Sequence, residues 1–124
     1  LYVEDCVEAI FKCIKSNIYY PNYLVGTNKN LTNLELITII DNLLKKHFKK
    51  SKFQSPIGLI QNVVDRPGHD LSYKVDHSFI TKKIGWKPKH SLIKGLIKTI
   101  SHYEVLFSKK NFVLKKNFFI RKGI

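Results

Sequence analysis

Thr32-Asn33-Leu34-Glu35 constrains the fold of this chain more than any other stretch. A threonine followed three residues later by a glutamate can satisfy two of the backbone N–H groups that a helix leaves unpaired at its start, each side chain bonding the other's backbone. With Thr32 at the N-cap, Leu31 and Leu36 stand at the positions of a hydrophobic staple. Leu36, Ile37, Ile40, Leu43, Leu44 and Phe48 then run down one broad apolar face. Lys45, Lys46, Lys49 and Lys50 gather at the far end, where cations complement the negative pole of the helix. Asn33 falls in the first turn, either as a substitute cap or as a donor to an anion held at the helix N-terminus.

Other elements follow from the same patterns. Val3, Val7, Ile10 and Ile14 share one face of a helix running to about Ser16, with Glu8 placed four before Lys12 for a surface ion pair. The segment from Ile18 to Asn22 breaks this helix, and Tyr23-Leu24-Val25 reads as a short strand stopped by Gly26. Ser51 to Gly58 reads as a polar linker and Leu59 to Val64 as a second strand. Asp76 is placed to cap a short helix containing Phe79, Ile80 and Ile84, closed by Gly85 and left through Trp86-Lys87-Pro88. A last helix starts near Ser91 and carries Leu92, Leu96, Ile100, Tyr103 and Phe107 at helical spacing.

The second strand delivers the chain to Val64-Asp65-Arg66-Pro67-Gly68-His69-Asp70. Pro67 fixes its own backbone and pushes Arg66 toward an extended conformation, while Gly68 lets the chain turn. Arg66 and His69 flank this rigid corner as donors suited to an anionic oxygen. Arginine occurs at 66 and 121 only, against a large excess of lysine, and its planar fork can hold a phosphate bidentately where an ammonium cannot. A surface Pro-Gly turn carrying a solvated arginine is the competing account.

Charge and cysteine usage narrow the setting without choosing a partner. The net charge of +13, from 22 Lys and Arg against 9 Asp and Glu, suits nucleic acid, acidic lipid or phosphorylated metabolites. A compositional drift toward lysine, asparagine and isoleucine would produce the same charge. Cys6 and Cys13, seven apart on a helix, are separated by about 10 Å, too far for a disulfide. They are expected as buried thiols in a reducing cytoplasm. No apolar run approaches the roughly 20 residues that span a bilayer. The 124 residues contain no methionine and begin Leu1-Tyr2-Val3-Glu4-Asp5, so the chain is expected to be a piece of a longer protein. Residues 109–124 alternate lysine pairs with apolar residues and have no clean period: either a weakly ordered end or a segment for a membrane surface or nucleic acid.

Several chemistries have no residues to carry them. The six glycines, at 26, 58, 68, 85, 95 and 123, never cluster into a dinucleotide-binding turn. No tyrosine stands four before a lysine, His47, His69, His77, His90 and His102 lack metal-ligand spacing, and no Gly-x-Ser-x-Gly occurs. What the residues offer is a binding surface without a reaction centre.

In order and spacing, Leu1-Tyr2-Val3-Glu4-Asp5, the strand before Gly26, Asn33 at a helix start, Asp65-Arg66-Pro67-Gly68-His69-Asp70, Tyr73 with Asp76, and Gly85-Trp86-Lys87-Pro88 resemble a known pattern. It is that of the C-terminal portion of the dTDP-glucose 4,6-dehydratase family, extended short-chain dehydrogenase/reductases of nucleotide-sugar metabolism. The likeness runs from Leu1 to about Phe107, and the run from Asp65 to Asp70 is its most specific part. The resemblance implies an α/β, Rossmann-type parentage, of which this portion is a mostly helical substrate-binding lobe with a few short strands and no nucleotide-binding core. It also implies a full-length enzyme that uses NAD to oxidise C4 of the sugar, eliminates water across C5 and C6, and returns the hydride to C6.

The implied substrate-binding residues are Asn33, Arg66 and His69, around the diphosphate of a dTDP-sugar. The catalytic residues and the NAD site belong to sequence before the point matching Leu1. Residues 1–108 are then the substrate-binding portion and 109–124 a separate tail outside the resemblance. The implied partners are the N-terminal half of the enzyme or a second subunit, with membrane and nucleic acid disfavoured. Two departures from the family pattern stand out: Cys6 where a histidine is common, and Leu71-Ser72 in place of a basic pair.

Overall fold

The computed structural model describes residues 1–48 and 54–108. It contains four α-helices in chain order: α1, Val3–Lys15; α2, Asn33–His47; α3, Ser78–Ile84; and α4, Leu92–Ser108. A 3₁₀ turn, Pro56–Leu59, follows α2. Lys49, Lys50, the first part of the expected linker and the 109–124 tail lie outside the described residues.

The helix starts and stops are where local chemistry puts them. Thr32 Oγ1 accepts from Glu35 N at 3.2 Å while Glu35 Oε2 accepts from Thr32 N at 2.7 Å, so the expected capping box is formed. At α3 the cap position is His77, one residue later than expected, and the Asp76 carboxylate accepts from Ser78 N at 2.9 Å and from its hydroxyl at 2.8 Å. Gly85 closes α3 in the left-handed conformation, φ 66°, which glycine adopts without a Cβ penalty.

Mostly helical architecture holds, but no strand is formed among the described residues. Residues 23–25 carry no regular secondary structure and pack against the core through Tyr23 and Val25. Gly26 passes so close to Val75 that a Cβ at 26 would sit 2.8 Å from that side chain. No described segment forms a ladder with this stretch, and a ladder is what makes an extended segment a strand. The stretch expected as Leu59 to Val64 differs more: Ser55 and Pro56 start the 3₁₀ turn, and beyond it Val64 is 98% exposed.

α1 also turns a different face inward from the one its apolar stripe suggested. Val3 and Ile14 are 65% and 72% exposed, and Val7 and Ile10 are exposed with them. The inward line is Asp5, Ala9 and Cys13, at i, i+4 spacing, with Ala9 in the core beside Ile80 and Trp86. Cys6 and Cys13 are free and half-buried rather than buried. The expected Glu8–Lys12 pair is replaced by longer-range bonds: Glu8 pairs with Lys89 at 2.7 Å, and Lys12 Nζ donates to Gly85 O at 2.9 Å.

A clasp centred on Asp5 joins α1 to the exit from α3. Trp86 Nε1 donates to the Asp5 carbonyl at 3.0 Å, and the Asp5 carboxylate accepts from Lys89 N at 3.2 Å, His90 N at 3.0 Å and His90 Nδ1 at 2.9 Å. Tyr2 completes it, its ring 4.8 Å from that of His90 and its Cβ 3.0 Å from where a Cβ on Gly95 would lie. α2 lies against the 3₁₀ turn and α4; Asp41, fully buried, accepts from Ser55 Oγ at 2.7 Å and pairs with Lys45 at 2.6 Å. His47 Nε2 meets Glu104 at 2.7 Å across α2 and α4.

These carboxyls predict how the fold responds to acid. Burial pushes the Asp5 carboxyl up, but the hydrogen bonds from His90 and Lys89 outweigh it and hold it below its usual range. Bonds from Lys45 and Ser55 hold Asp41 down, those from Thr32 hold Glu35 down, and those from Ser78 hold Asp76 down. A carboxyl depressed in the folded state contributes stability that is present above its unfolded pKa of about 4 and lost as pH falls through the folded value. Urea midpoints should therefore be level between about pH 7 and pH 5 and drop below about pH 4. A midpoint that rises on acidification would contradict this account.

Candidate functional site: the Arg66–His69 corner

The corner is a closed turn whose geometry follows from its sequence. His69 N donates to Arg66 O at 3.2 Å, and Gly68 has φ 73° at the third position. Proline second and a positive-φ glycine third is the pattern of a type II turn. Asp65 holds the turn from outside it: one carboxylate oxygen, Oδ1, accepts from Arg66 N at 2.9 Å and from His69 Nδ1 at 2.6 Å. The His69 bond is the main cause that holds the Asp65 carboxyl below its usual range; burial opposes it and the Arg66 N–H adds to it.

The Arg66 side chain is exposed, and among the described residues its guanidinium has no hydrogen-bond or ion-pair partner. His69 is partly covered, with 32% of its side chain exposed. The expected donors therefore belong to one closed turn, and the Arg66 fork is unpaired among the described residues. Asn33 is the first residue of α2 and exposed, and no contact joins it to Arg66 or His69.

What links the two regions is a pair of asparagines ahead of α2. Asn30 Nδ2 donates to Ser72 Oγ at 3.2 Å, and Asn28 Oδ1 accepts from His77 N at 3.4 Å. The chain leaving the corner is thus tied to the loop that leads into the α2 N-terminus. Sequence reasoning singled out none of Asp65, Asn28 or Asn30 for a role. The spacing of Asp65 four before His69 carries no signal outside a helix. Ser72, noted only as a departure from a basic residue, proves to be the acceptor of the tie.

A second cationic cluster is paired within the fold at three of its four members. Lys89, His90, Lys94 and Lys98 line an open cleft with Ile97, but Lys89 is paired with Glu8, His90 with Asp5 and Lys98 with Glu4 at 2.9 Å. Among the described residues no group of three or more His, Cys, Asp and Glu is placed to hold a metal, and no helix is long and apolar enough to cross a membrane.

No protein-family model matches the chain. Individual proteins do. Over 105 residues, 83% of this chain, it is 32% identical to a dTDP-glucose 4,6-dehydratase of Escherichia coli. In sequence the chain is similar to the dTDP-glucose 4,6-dehydratases. Enzymes of the same description from Haemophilus influenzae and Neisseria gonorrhoeae match at 35% over 105 residues and 34% over 109. The chain spans less than a third of the length of these dehydratases: 29%, 31% and 30% of the three in turn. The resemblance to dTDP-glucose 4,6-dehydratases is thereby borne out over 83% of this chain.

Proposed function

We propose that this chain is the substrate-binding portion of a dTDP-glucose 4,6-dehydratase, of α/β, Rossmann-type parentage, and that its corner grips the diphosphate of a dTDP-sugar. Arg66 is the fork on the phosphates, His69 stands beside it, and Asn33 at the start of α2 adds a donor where the helix dipole favours negative charge. The observation that carries the reading is the open Arg66 guanidinium, held on a turn that Asp65, Pro67 and Gly68 make rigid. An unpaired, pre-positioned fork is what bidentate phosphate recognition needs.

The whole enzyme's reaction, an NAD-dependent dehydration to the 4-keto-6-deoxy sugar in the cytoplasm, is part of the proposal. The scattered glycines and the lack of a Tyr-x-x-x-Lys pair do not fit an NAD site in this chain, so its role is to bind and orient the substrate. The partner that would complete the site is the N-terminal half of the dehydratase or a second subunit. Residues 1–108 carry the binding function; 109–124 form a tail apart from it.

Isothermal calorimetry of the chain with dTDP tests the clamp, and heat indistinguishable from buffer sinks it. The chain supplied with NAD and dTDP-glucose is expected to form no 4-keto-6-deoxy product; measurable turnover would show that the binding portion carries chemistry after all. A non-catalytic sugar-nucleotide-binding role predicts the same calorimetry. It differs in that adding the N-terminal half of a dehydratase would restore no turnover. Nonspecific nucleic-acid binding through the +13 charge would instead weaken steeply with salt and be indifferent to Arg66→Lys.

A further inference from the structure

Two histidine–aspartate pairs occur among the described residues, and they differ in one atom. His90 meets the buried Asp5 through Nδ1 at 2.9 Å, and its Nε2 faces Lys98 Nζ at 3.1 Å. Both ring nitrogens are occupied within the fold. His69 meets Asp65 through Nδ1 at 2.6 Å, and no described residue meets its Nε2. The first pair is closed; the second is open on one side.

The chemistry of the open side follows from the closed one. An ionised carboxylate only accepts, so a bond this short to Asp65 requires Nδ1 to carry the hydrogen. A neutral imidazole has a single ring hydrogen, which leaves Nε2 with a lone pair. Facing a phosphate oxygen, that nitrogen would set lone pair against lone pair. The donor a sugar nucleotide carries beside its diphosphate is a hydroxyl.

We propose that Asp65 is a positioning residue that fixes His69 as the Nδ1–H tautomer, so that the corner meets a sugar nucleotide with two unlike groups: the Arg66 fork for the diphosphate and His69 Nε2 for a sugar hydroxyl. This rests on the clamp reading and revises it at one atom, since His69 receives a hydrogen from the ligand instead of giving one to phosphate. A single carboxylate oxygen sets both partners, because Asp65 Oδ1 also takes the Arg66 N–H at 2.9 Å.

Two measurements on the full chain test it. In ¹⁵N spectra near neutral or slightly alkaline pH, His69 should show a protonated Nδ1 and a bare Nε2. Asp65→Ala should abolish that bias, and Asp65→Asn, which keeps an acceptor oxygen, should largely retain it. A His69 protonated at Nε2, or a spectrum that Asp65→Ala leaves unchanged, overturns the positioning role. In calorimetry, His69→Phe should weaken dTDP-glucose roughly tenfold and leave inorganic pyrophosphate, which has no sugar hydroxyl, unaffected. Equal weakening of both ligands means that His69 grips phosphate and overturns the hydroxyl assignment. A chain that binds neither ligand removes the clamp and the hydroxyl assignment together, and the imidazole spectrum still decides whether Asp65 sets the tautomer.

Discussion

Asp5→Asn is expected to lower the unfolding free energy by about 3 kcal/mol, the scale for a buried hydrogen-bonded carboxylate whose partners are left facing a donor. The side chain is 1% exposed and accepts three hydrogen bonds, from two backbone N–H groups and the His90 ring. An amide of the same shape can serve the acceptor role with one oxygen only, and its NH₂ meets N–H groups head-on. Trp86, the only tryptophan, is fully buried beside this clasp, so its fluorescence reports the loss directly in a urea titration. Trp86→Phe provides the contrast: it keeps an aromatic ring and removes one neutral hydrogen bond, worth about 1 kcal/mol, together with some packing. If Asp5→Asn unfolds within about 0.5 kcal/mol of the parent, as surface substitutions do, the clasp is not what joins α1 to the α3 exit.

That clasp explains two stretches that the sequence pattern could only match. Leu1 to Asp5 and Gly85 to Pro88 were recognisable as motifs, but their connection across 81 residues, from Trp86 Nε1 to the Asp5 carbonyl, has no periodic trace in the chain. The helices were legible because their signals are local: the Thr32–Glu35 box, the left-handed Gly85 and the apolar spacing of α4 act within a turn or two. Facing was not legible for α1. Periodicity tells which residues share a side, and α1 has two usable sides, Val3-Val7-Ile10-Ile14 and Asp5-Ala9-Cys13. The second faces inward because small Ala9 lets Trp86 and Ile80 approach and because Asp5 has donors waiting there. Strands failed for a related reason, since residues 23–25 and 60–64 have no ladder partner among the described residues. At the corner, Pro67 and Gly68 announced the turn, while the Asp65 bond to His69 depends on the turn being closed and could not be read before it was.

Arg66→Lys is the substitution that weighs most on the proposed function, with an expected loss of roughly 1.5 to 3 kcal/mol in dTDP binding, about ten- to a hundredfold in Kd. Both side chains are cations, so long-range attraction to a diphosphate is kept. What changes is the fork: lysine offers a point charge on a flexible stem, and the two parallel N–H groups that match a phosphate edge are gone. Arg66 has no described partner to lose and the turn bonds run through its backbone, so the fold and its urea midpoint should be unaffected. Calorimetry paired with a urea titration separates the two effects. Unchanged affinity would mean that the corner attracts anions by charge alone, and +13 of net charge is then enough to explain it. Raising salt decides between these cases independently, because a charge-only contact fades as screening grows while a bidentate contact keeps most of its directional hydrogen bonding.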